Sequence, residues 1–389
     1  MNTNCHVCHS TNWILLPDPM AERSVTTSAR IVEQPLGKSI CQNCGLTQRV
    51  RADFLGTTLY YETEYASYYE RPGTEEYHNK RCQQLVDWMI NYLPEPFEFK
   101  NVLDVGCGQG WAMDAFAAKF KDINIAGVEP SAYNAAIARN KGHRVFEGKI
   151  ENVEIDSKYD LIYSNNVIQH VNDAKKFISD LMRLLKNDGI IIVTCPDGSR
   201  PNIELFFSDH NYSFLPSNMI TIGKKLGFAT VFLSKSRENP SLPPAQLLLL
   251  TNNNNYRKDE YKLQDFTGCE ITTVVDEKKR YIGLIKDLGD YILREISVYS
   301  RVYNFGASFW TSVLAGYSQD YWEKVNACVV DTYSGGNNFM GKEIIELKDI
   351  PEDENTIIVL GTSPATHNIL FEKLKNRYIV LRWDSYYRY

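Results

Sequence analysis

Residues 102–110 read VLDVGCGQG, an apolar run broken by one acid and then glycine at every second position. This pattern predicts a buried strand that ends in a glycine turn before a helix. The next apolar segment, INIAGVEP, ends near Glu129, which is where a strand-end carboxylate can hold a ribose hydroxyl pair. The order of strand, glycine turn, helix, strand and acid favours a nucleotide cofactor over a plain tight turn.

Apolar runs alternate with helical patterns from residue 101 to about 235. The strand candidates are NVLDVG, INIAGVEP, YDLIYSNN, GIIIVTCP and ATVFLSK, separated by helix-like pieces such as DAKKFISDLMRLLK. This alternation predicts an α/β fold with a parallel, doubly wound sheet. After the loop-like TNNNNYRKDE and a helical stretch, the strand candidates RVYNFG, NACVVDTY, TIIVLGT and RYIVLRW predict a second α/β unit.

Length and charge limit the class of protein. A chain of 389 residues exceeds one ordinary core, so it predicts two or three domains. Its 42 basic and 48 acidic residues provide no field for a polyanion, which argues against nucleic acid as a partner. The N-terminus lacks the pattern of a secretion signal, and no window approaches the ~20 apolar residues that span a bilayer. We expect a cytoplasmic protein without a membrane partner.

Two cysteine pairs, CHVC and CQNC, lie in the first 50 residues. Two chelating thiolate pairs are the ligand set of a tetrahedral structural zinc, and in a reducing compartment they bind metal more often than they form disulfides. The predicted ligands are Cys5, Cys8, Cys41 and Cys44. Redox-active CxxC pairs and unbound thiols are the alternatives. His6 and His9 would overfill a four-coordinate site and are predicted at the surface.

The glycine run is GxGxG, with Asp104 two residues upstream, whereas the dinucleotide fingerprint is GxGxxG. It resembles motif I of the class I S-adenosylmethionine (SAM) methyltransferases, and YDLIYSNNVIQHVND is similar to a later strand and turn of those enzymes. The resemblance implies contacts to methionine near Asp104, to ribose at Glu129 and to adenine near Lys149. The implied SAM-binding residues are Asp104, Gly106, Gly108, Gly110, Glu129, Pro130, Lys149, Ile150 and Asn165. We interpret His170 as structural.

The whole chain resembles the sugar C-methyltransferases of deoxysugar biosynthesis. The features that carry this resemblance are the CxxC…CxxCGL module, the tyrosine-rich stretch that follows it, the SAM domain and the second α/β unit, in this order. The resemblance implies a zinc-binding module, a helical lid or connector, a SAM-dependent methyltransferase domain and a C-terminal Rossmann-like domain. Their predicted bounds are 1–55, 56–100, 101–250 and 251–389.

Methylation of carbon requires a base that removes a proton beside a ketone and polar groups that stabilise the enolate oxygen. The resemblance implies an acid–His pair after the fifth strand, and FFSDHNYSFLP supplies Asp209 and His210. We predict His210 as the base, with Asp209 and Tyr212 in supporting roles, and a merely polar loop is the alternative. Two departures from the family pattern are Phe207, where a tyrosine is usual, and NPSLPPAQ, where a glycine-rich segment is usual.

The C-terminal unit has three candidates for contact with a nucleotide. Gly306 lies in YNFGASFW, Asp331 follows the strand ACVV, and GTSPATHN follows the strand TIIVL. Turns of this kind hold nucleotides at the carboxyl ends of parallel strands. A domain kept for packing or dimerisation is an equal alternative.

We therefore expect a zinc-stabilised SAM-dependent methyltransferase that methylates carbon on a nucleotide-linked keto-deoxysugar. One alternative is an O-methyltransferase acting on a sugar or glycan precursor. Another is an inactive protein that binds SAM or a sugar nucleotide. The sequence leaves the sugar, the nucleotide and the oligomeric state open.

Overall fold

The computed structural model describes residues 3–55, 59–65, 75–93, 98–235, 244–253, 268–331 and 338–387. Within these ranges the strands form sheets of four, seven, six and two strands. Three segments named above lie partly outside the described residues: the tyrosine-rich stretch, NPSLPPAQ and TNNNNYRKDE. Among the helices described, none has the length and apolar character needed to cross a membrane.

The N-terminal residues form short strands that match their turn-rich sequence. These are β1 (Trp13–Leu15), β2 (Ser24–Val25), β3 (Ile31–Val32), β4 (Lys38–Cys41) and β5 (Thr47–Arg49). β4 pairs antiparallel with both β1 and β5, and β2 pairs with β3. A short π-helical turn, Tyr60–Glu64, follows.

The central part of the chain alternates helices with strands. Its elements are α1 (Glu75–Ile90), β6 (Asn101–Val105), α2 (Trp111–Lys119), β7 (Asn124–Glu129), α3 (Ala132–Asn140), β8 (Arg144–Glu147), β9 (Tyr159–Asn165), α4 (Ala174–Arg183), β10 (Leu185–Pro196), β11 (Tyr212–Ser213), α5 (Pro216–Lys225), β12 (Thr230–Lys235) and β13 (Ala245–Thr251). A 3₁₀ helix, Ile203–Phe206, precedes β11.

The seven-stranded sheet has the order β12-β13-β10-β9-β6-β7-β8. β8, β7, β6, β9 and β10 run parallel, whereas β13 pairs antiparallel with β10 and β12. The sheet is therefore mixed, which corrects the expected wholly parallel arrangement. The strand order reverses between β6 and β9, and in open α/β sheets that reversal opens a crevice at the carboxyl ends of the strands.

The remaining part of the chain forms the six-stranded sheet and its helices. Its elements are α6 (Gly268–Ile296), β14 (Arg301–Phe305), α7 (Phe309–Tyr317), α8 (Gln319–Lys324), β15 (Val325–Val330), β16 (Asn338–Phe339), β17 (Lys342–Glu346), β18 (Thr356–Leu360), α9 (His367–Leu374) and β19 (Ile379–Leu381). Short 3₁₀ helices span Leu347–Asp349 and Pro364–Thr366. All four predicted strands are present, and β17 and β16 extend the edge beside β15.

The sheets of the N-terminal residues share their hydrophobic cores with the two larger sheets. One cluster joins Val25 of the N-terminal strands to Phe206 and to Trp310 of α7. A second cluster joins Cys41 to Ile162 of β9 and to other buried residues of the seven-stranded sheet. The N-terminal residues therefore have no separate core, because their apolar side chains are divided between the two larger units.

One strand also crosses the predicted boundaries. β11 follows β10 in the chain but pairs antiparallel with β5, so that Tyr212 lies opposite Gln48 and Ser213 opposite Thr47. The N-terminal sheet thus extends beyond residues 1–55 and includes the segment that directly follows His210.

Candidate active site

A cavity of about 2370 Å³ lies at the carboxyl ends of the central strands. Its wall includes the glycine turn after β6, the turn after β9 and the 3₁₀ helix Ile203–Phe206, and it continues to the first turn of α7 and to residues near β19. The cavity therefore runs from the predicted SAM site to the C-terminal unit.

The glycine turn has a conformation that only glycine adopts readily. Gly106 has a φ of +80°, and a Cβ at this position would lie 2.3 Å from Cγ2 of Val167. The amide of Gly108 donates to Oε2 of Glu129 over 2.9 Å, and the amide of Ser131 donates to Oε1 over 2.9 Å. Glu129 also lines the cavity, so these two hydrogen bonds fix its carboxylate at the cavity wall.

Most of the predicted SAM-binding residues line this cavity. They are Asp104, Gly106, Gly108, Glu129, Pro130, Lys149, Ile150 and Asn165. Burial raises the pKa of Asp104 to about 8. Gly110 is not among the residues that line the cavity. It is the N-cap residue of α2, with a φ of +82°, and a Cβ there would lie 2.9 Å from Cδ2 of His143.

Two histidines meet in the wall of the cavity. The rings of His170 and His210 lie edge to face with their centroids 4.6 Å apart. Nδ1 of His170 lies 2.8 Å from the carbonyl oxygen of Asp209 and 3.1 Å from the hydroxyl of Tyr61. Burial, together with the nearby His210, lowers the pKa of His170 to about 4. His170, interpreted from the sequence as structural, thus faces the same cavity as the predicted base.

The carboxylate of Asp209 is turned away from His210. It accepts hydrogen bonds from the amide of Thr27, over 2.9 Å, and from the hydroxyl of Thr27, and its side chain is fully buried. Its nearest imidazole nitrogen among the ion pairs described is Nδ1 of His170, at 3.8 Å. The predicted orienting role toward His210 is therefore corrected, since neighbouring residues of this turn face opposite sides.

The carboxylate beside His210 is that of Glu204, which the sequence did not single out. Oε2 of Glu204 lies 3.6 Å from Nδ1 of His210, and Oε1 accepts from the hydroxyl of Ser213 over 2.7 Å. Burial raises the pKa of Glu204, but the nearby imidazole of His210, the charge of Lys278 and the hydroxyl of Ser213 outweigh burial and lower that pKa below its usual value. Glu204 lies in the 3₁₀ helix Ile203–Phe206, and His210 follows that helix. No regular spacing in the sequence indicates that these two side chains meet.

Tyr212 lies outside the cavity wall. Its hydroxyl donates to the carbonyl oxygen of Asn172 over 2.6 Å and also contacts Nδ1 of His6. His6 is only partly exposed, contrary to the surface position expected for it, whereas His9 is exposed. Tyr212 thus links the segment after His210 to the first cysteine pair.

The four predicted zinc ligands come together. Their sulfur atoms all lie within 4.8 Å of one another, and two of the Sγ–Sγ distances, Cys5 to Cys44 and Cys8 to Cys41, are 3.5 Å. A tetrahedral Zn²⁺ with Zn–S bonds of about 2.3 Å requires sulfurs about 3.8 Å apart. The cluster therefore fits such an ion.

The C-terminal end of the cavity carries several polar side chains. Ser308 caps α7 and its hydroxyl donates to the carbonyl oxygen of Gly361. Ser363 and Asn368, both in the GTSPATHN segment, line the cavity together with Arg382. Gly306 has a φ of +104°. Asp331, the other sequence candidate, is exposed and pairs with Lys373 outside the cavity wall.

Comparison with known proteins matches residues 76–231 to a family described as a methyltransferase domain. A ubiquinone biosynthesis O-methyltransferase of Rhodopseudomonas palustris is 31% identical over 98 residues, which cover 24% of this chain and 38% of the relative. A malonyl-[acyl-carrier protein] O-methyltransferase of Calditerrivibrio nitroreducens is 32% identical over 97 residues, which cover 25% and 38%. This chain thus spans 38% of the length of these two relatives. The matched residues form a SAM-dependent methyltransferase domain.

Among solved structures, a SAM-dependent methyltransferase of Thermotoga maritima, described as a possible histamine N-methyltransferase, is similar at 23% identity with a TM-score of 0.37. The similarity covers 46% of this chain and 91% of that one.

Proposed function

We propose that the whole chain is a SAM-dependent methyltransferase that methylates a carbon atom of a nucleotide-linked keto sugar. The observation that carries this proposal is one continuous cavity in which Glu129, fixed against the glycine turn, and the pair of His170 and His210 all lie. Proton removal and methyl transfer require that the cofactor and a base face the same cavity.

Different residues of this chain have different roles in the proposed reaction. SAM, when bound, supplies a methyl group on a sulfonium centre. We assign the ribose hydroxyls to Glu129, because its carboxylate is fixed against the glycine turn in the cavity wall and a strand-end carboxylate is suited to a ribose hydroxyl pair. His210 takes the proton from the carbon beside the ketone, so that the electron pair left on that carbon forms the new C–CH₃ bond while the S–CH₃ bond breaks and S-adenosylhomocysteine leaves. The imidazole holds the proton until the product departs.

Polar side chains at the far end of the cavity argue for a nucleotide-linked substrate. Arg382 and the hydroxyls of Ser308 and Ser363 line it, and guanidinium and hydroxyl groups at a helix N-terminus are suited to phosphate oxygens. We also propose that the four cysteines hold a structural Zn²⁺, because the distances between their sulfurs fit a tetrahedral site.

A second candidate function is transfer of the methyl group to a sugar oxygen. The names of the sequence relatives favour it, since both are O-methyltransferases. In that reaction His210 would deprotonate a hydroxyl group instead of a carbon. Product NMR separates the two candidates, because a C–CH₃ signal supports carbon methylation and an O–CH₃ signal contradicts it.

The test of the cofactor site is calorimetric titration with S-adenosylhomocysteine. We expect Glu129→Ala to weaken binding by more than about tenfold, the ~1.4 kcal/mol scale of a good polar contact. Glu147→Ala is the matched control, because Glu147 lies opposite Glu129 on the neighbouring strand but is exposed. Equal affinity in wild type and Glu129→Ala would contradict the assignment.

The chemistry is tested with His210→Ala and a panel of nucleotide-linked keto sugars. We expect turnover to fall at least about 100-fold, the lower range for loss of a general base, with unchanged affinity for S-adenosylhomocysteine. Absence of turnover in the wild type with every sugar would instead favour a binding protein.

A further inference from the structure

Glu204 is held rigidly from three directions. Its amide donates to Oδ1 of Asn202 over 3.0 Å, its carbonyl oxygen accepts from Nζ of Lys38 over 3.1 Å, and Oε1 of its carboxylate accepts from the hydroxyl of Ser213 over 2.7 Å. The residue is only 2% exposed. The direction of its second carboxylate oxygen is therefore set by the fold.

That second oxygen, Oε2, has no hydrogen-bond partner among the described residues, and the same holds for Nδ1 of His210. The two atoms lie 3.6 Å apart, so a small rotation of the imidazole brings them within hydrogen-bond distance. A buried carboxylate oxygen without a donor is costly, and a buried imidazole N–H without an acceptor is costly too. One hydrogen bond between them removes both costs.

We propose that Glu204 is the positioning residue of His210: its Oε2 accepts the Nδ1 proton and so leaves Nε2 as the unprotonated nitrogen of the ring. This inference rests on the proposed function, in which His210 acts as the base. A base needs a lone pair on the nitrogen that meets the substrate, and a carboxylate behind the ring selects that tautomer.

The surroundings favour an ionised Glu204. Two buried lysines lie close: Lys38 contacts its carbonyl oxygen, and Nζ of Lys278 donates to the hydroxyl of Ser213 over 3.2 Å. The same lysines keep the carboxylate from being an isolated buried charge. The other acid of this loop, Asp209, is not available to His210 because its carboxylate is bound to Thr27.

The directions of the hydrogen bonds in this network predict the effect of replacing the carboxylate of Glu204 with an amide. Because Lys278 donates to the oxygen of Ser213, the hydroxyl proton of Ser213 points to Oε1 of Glu204. In Glu204→Gln the carbonyl oxygen would stay on Ser213, and the amide NH₂ would face Nδ1 of His210. A donor at this place excludes the Nδ1–H tautomer and favours Nε2–H.

The test is long-range ¹H–¹⁵N NMR of the full chain labelled with ¹⁵N-histidine, which resolves imidazole tautomers without a substrate. The chain has seven histidines, and His210 is assigned as the signal lost in His210→Ala. We expect the Nδ1–H tautomer in the wild type and a change to Nε2–H in Glu204→Gln, with at least a tenfold change in their ratio. The matched control is Glu277→Gln, the same change on an exposed carboxylate of the same cavity, and we expect it to leave the ratio unchanged.

An Nε2–H tautomer in the wild type overturns the proposal, whether or not Glu204→Gln folds. The same tautomer in the wild type and in a folded Glu204→Gln also overturns it, and calorimetry with S-adenosylhomocysteine establishes that the variant is folded. The spectra do not depend on turnover, so a failure of the proposed methyl transfer and a failure of this inference are separate results.

Discussion

At the scale of single residues, Gly106 shows why a glycine must follow β6. Two separate obstacles oppose any side chain there: its φ of +80° and a Cβ position 2.3 Å from Cγ2 of Val167. An L residue in this region of φ costs about 1–2 kcal/mol, and a contact below 3 Å forces the turn or Val167 to move. Since the amide of Gly108 in the same turn binds Glu129, the displacement would reach the proposed cofactor site.

We expect Gly106→Ala to lower the free energy of unfolding by about 2–4 kcal/mol, from the φ cost and the steric clash together, and to weaken binding of S-adenosylhomocysteine. Urea denaturation and calorimetry measure the two effects. Gly142→Ala is the control, because Gly142 has a φ of +95° with open space around it and so isolates the φ cost. If both substitutions destabilise the protein equally, the contact with Val167 has no role.

The residues of the site were predictable to different degrees. Glu129 follows from its place at the end of a strand, because parallel strands bring their carboxyl ends to one edge. His210 was found by family resemblance, and it does line the cavity. The sequence predicted Asp209 beside His210 and did not single out Glu204, because only the backbone path decides which of two nearby acids faces an imidazole.

At the scale of secondary-structure elements, the N-terminal strands hold the segment that carries His210. β5 pairs with β11 directly after that residue, and the buried guanidinium of Arg49 in β5 donates to the carbonyl oxygen of Ser208 over 3.2 Å. The first cysteine pair contacts the same segment, since the hydroxyl of Tyr212 contacts Nδ1 of His6, which lies between Cys5 and Cys8. We therefore expect the order of the 207–213 segment to depend on the cluster.

We expect Cys44→Ser, or treatment of the wild type with a zinc chelator, to lower the melting temperature and to reduce turnover more than affinity for S-adenosylhomocysteine. Structural zinc sites contribute directly to folding, and the residues of the proposed cofactor site lie on other elements. Metal analysis should give one zinc per wild-type chain. Cys82→Ser is the control, since this cysteine lies outside the cluster. A wild-type chain without bound metal would contradict the zinc proposal.

The strands themselves were predictable where they are buried. β6, β7, β9 and β10 are long apolar runs, and each lies where the sequence predicted a strand. β13 was missed although it is equally apolar, because its place between β10 and β12 depends on a long-range antiparallel pairing. β8 has only one buried residue, Val145, and so has no clear apolar pattern in the sequence.

At the scale of the whole molecule, buried histidines tie stability to pH in both large units. Burial lowers the pKa of His170 to about 4, and it has the same effect on His367 at the start of α9. The ring of His367 packs edge to face on Trp383, and its Nε2 contacts the carbonyl oxygen of Thr362 over 3.2 Å. Folding therefore favours the neutral form of each ring.

The folded pKa of about 4 lies below the unfolded value of 6.5, so the unfolded chain binds more protons between these values. The stabilisation from neutral His367 is then complete above pH 6.5 and is lost as the pH falls toward 4, by roughly 3 kcal/mol. We expect urea denaturation to show this loss in the wild type and a shallower dependence on pH in His367→Asn. His9→Asn is the control, because His9 is exposed. An identical pH dependence in wild type and His367→Asn would show that protonation of this ring does not govern acid stability, and the loss would then have to come from other groups such as His170.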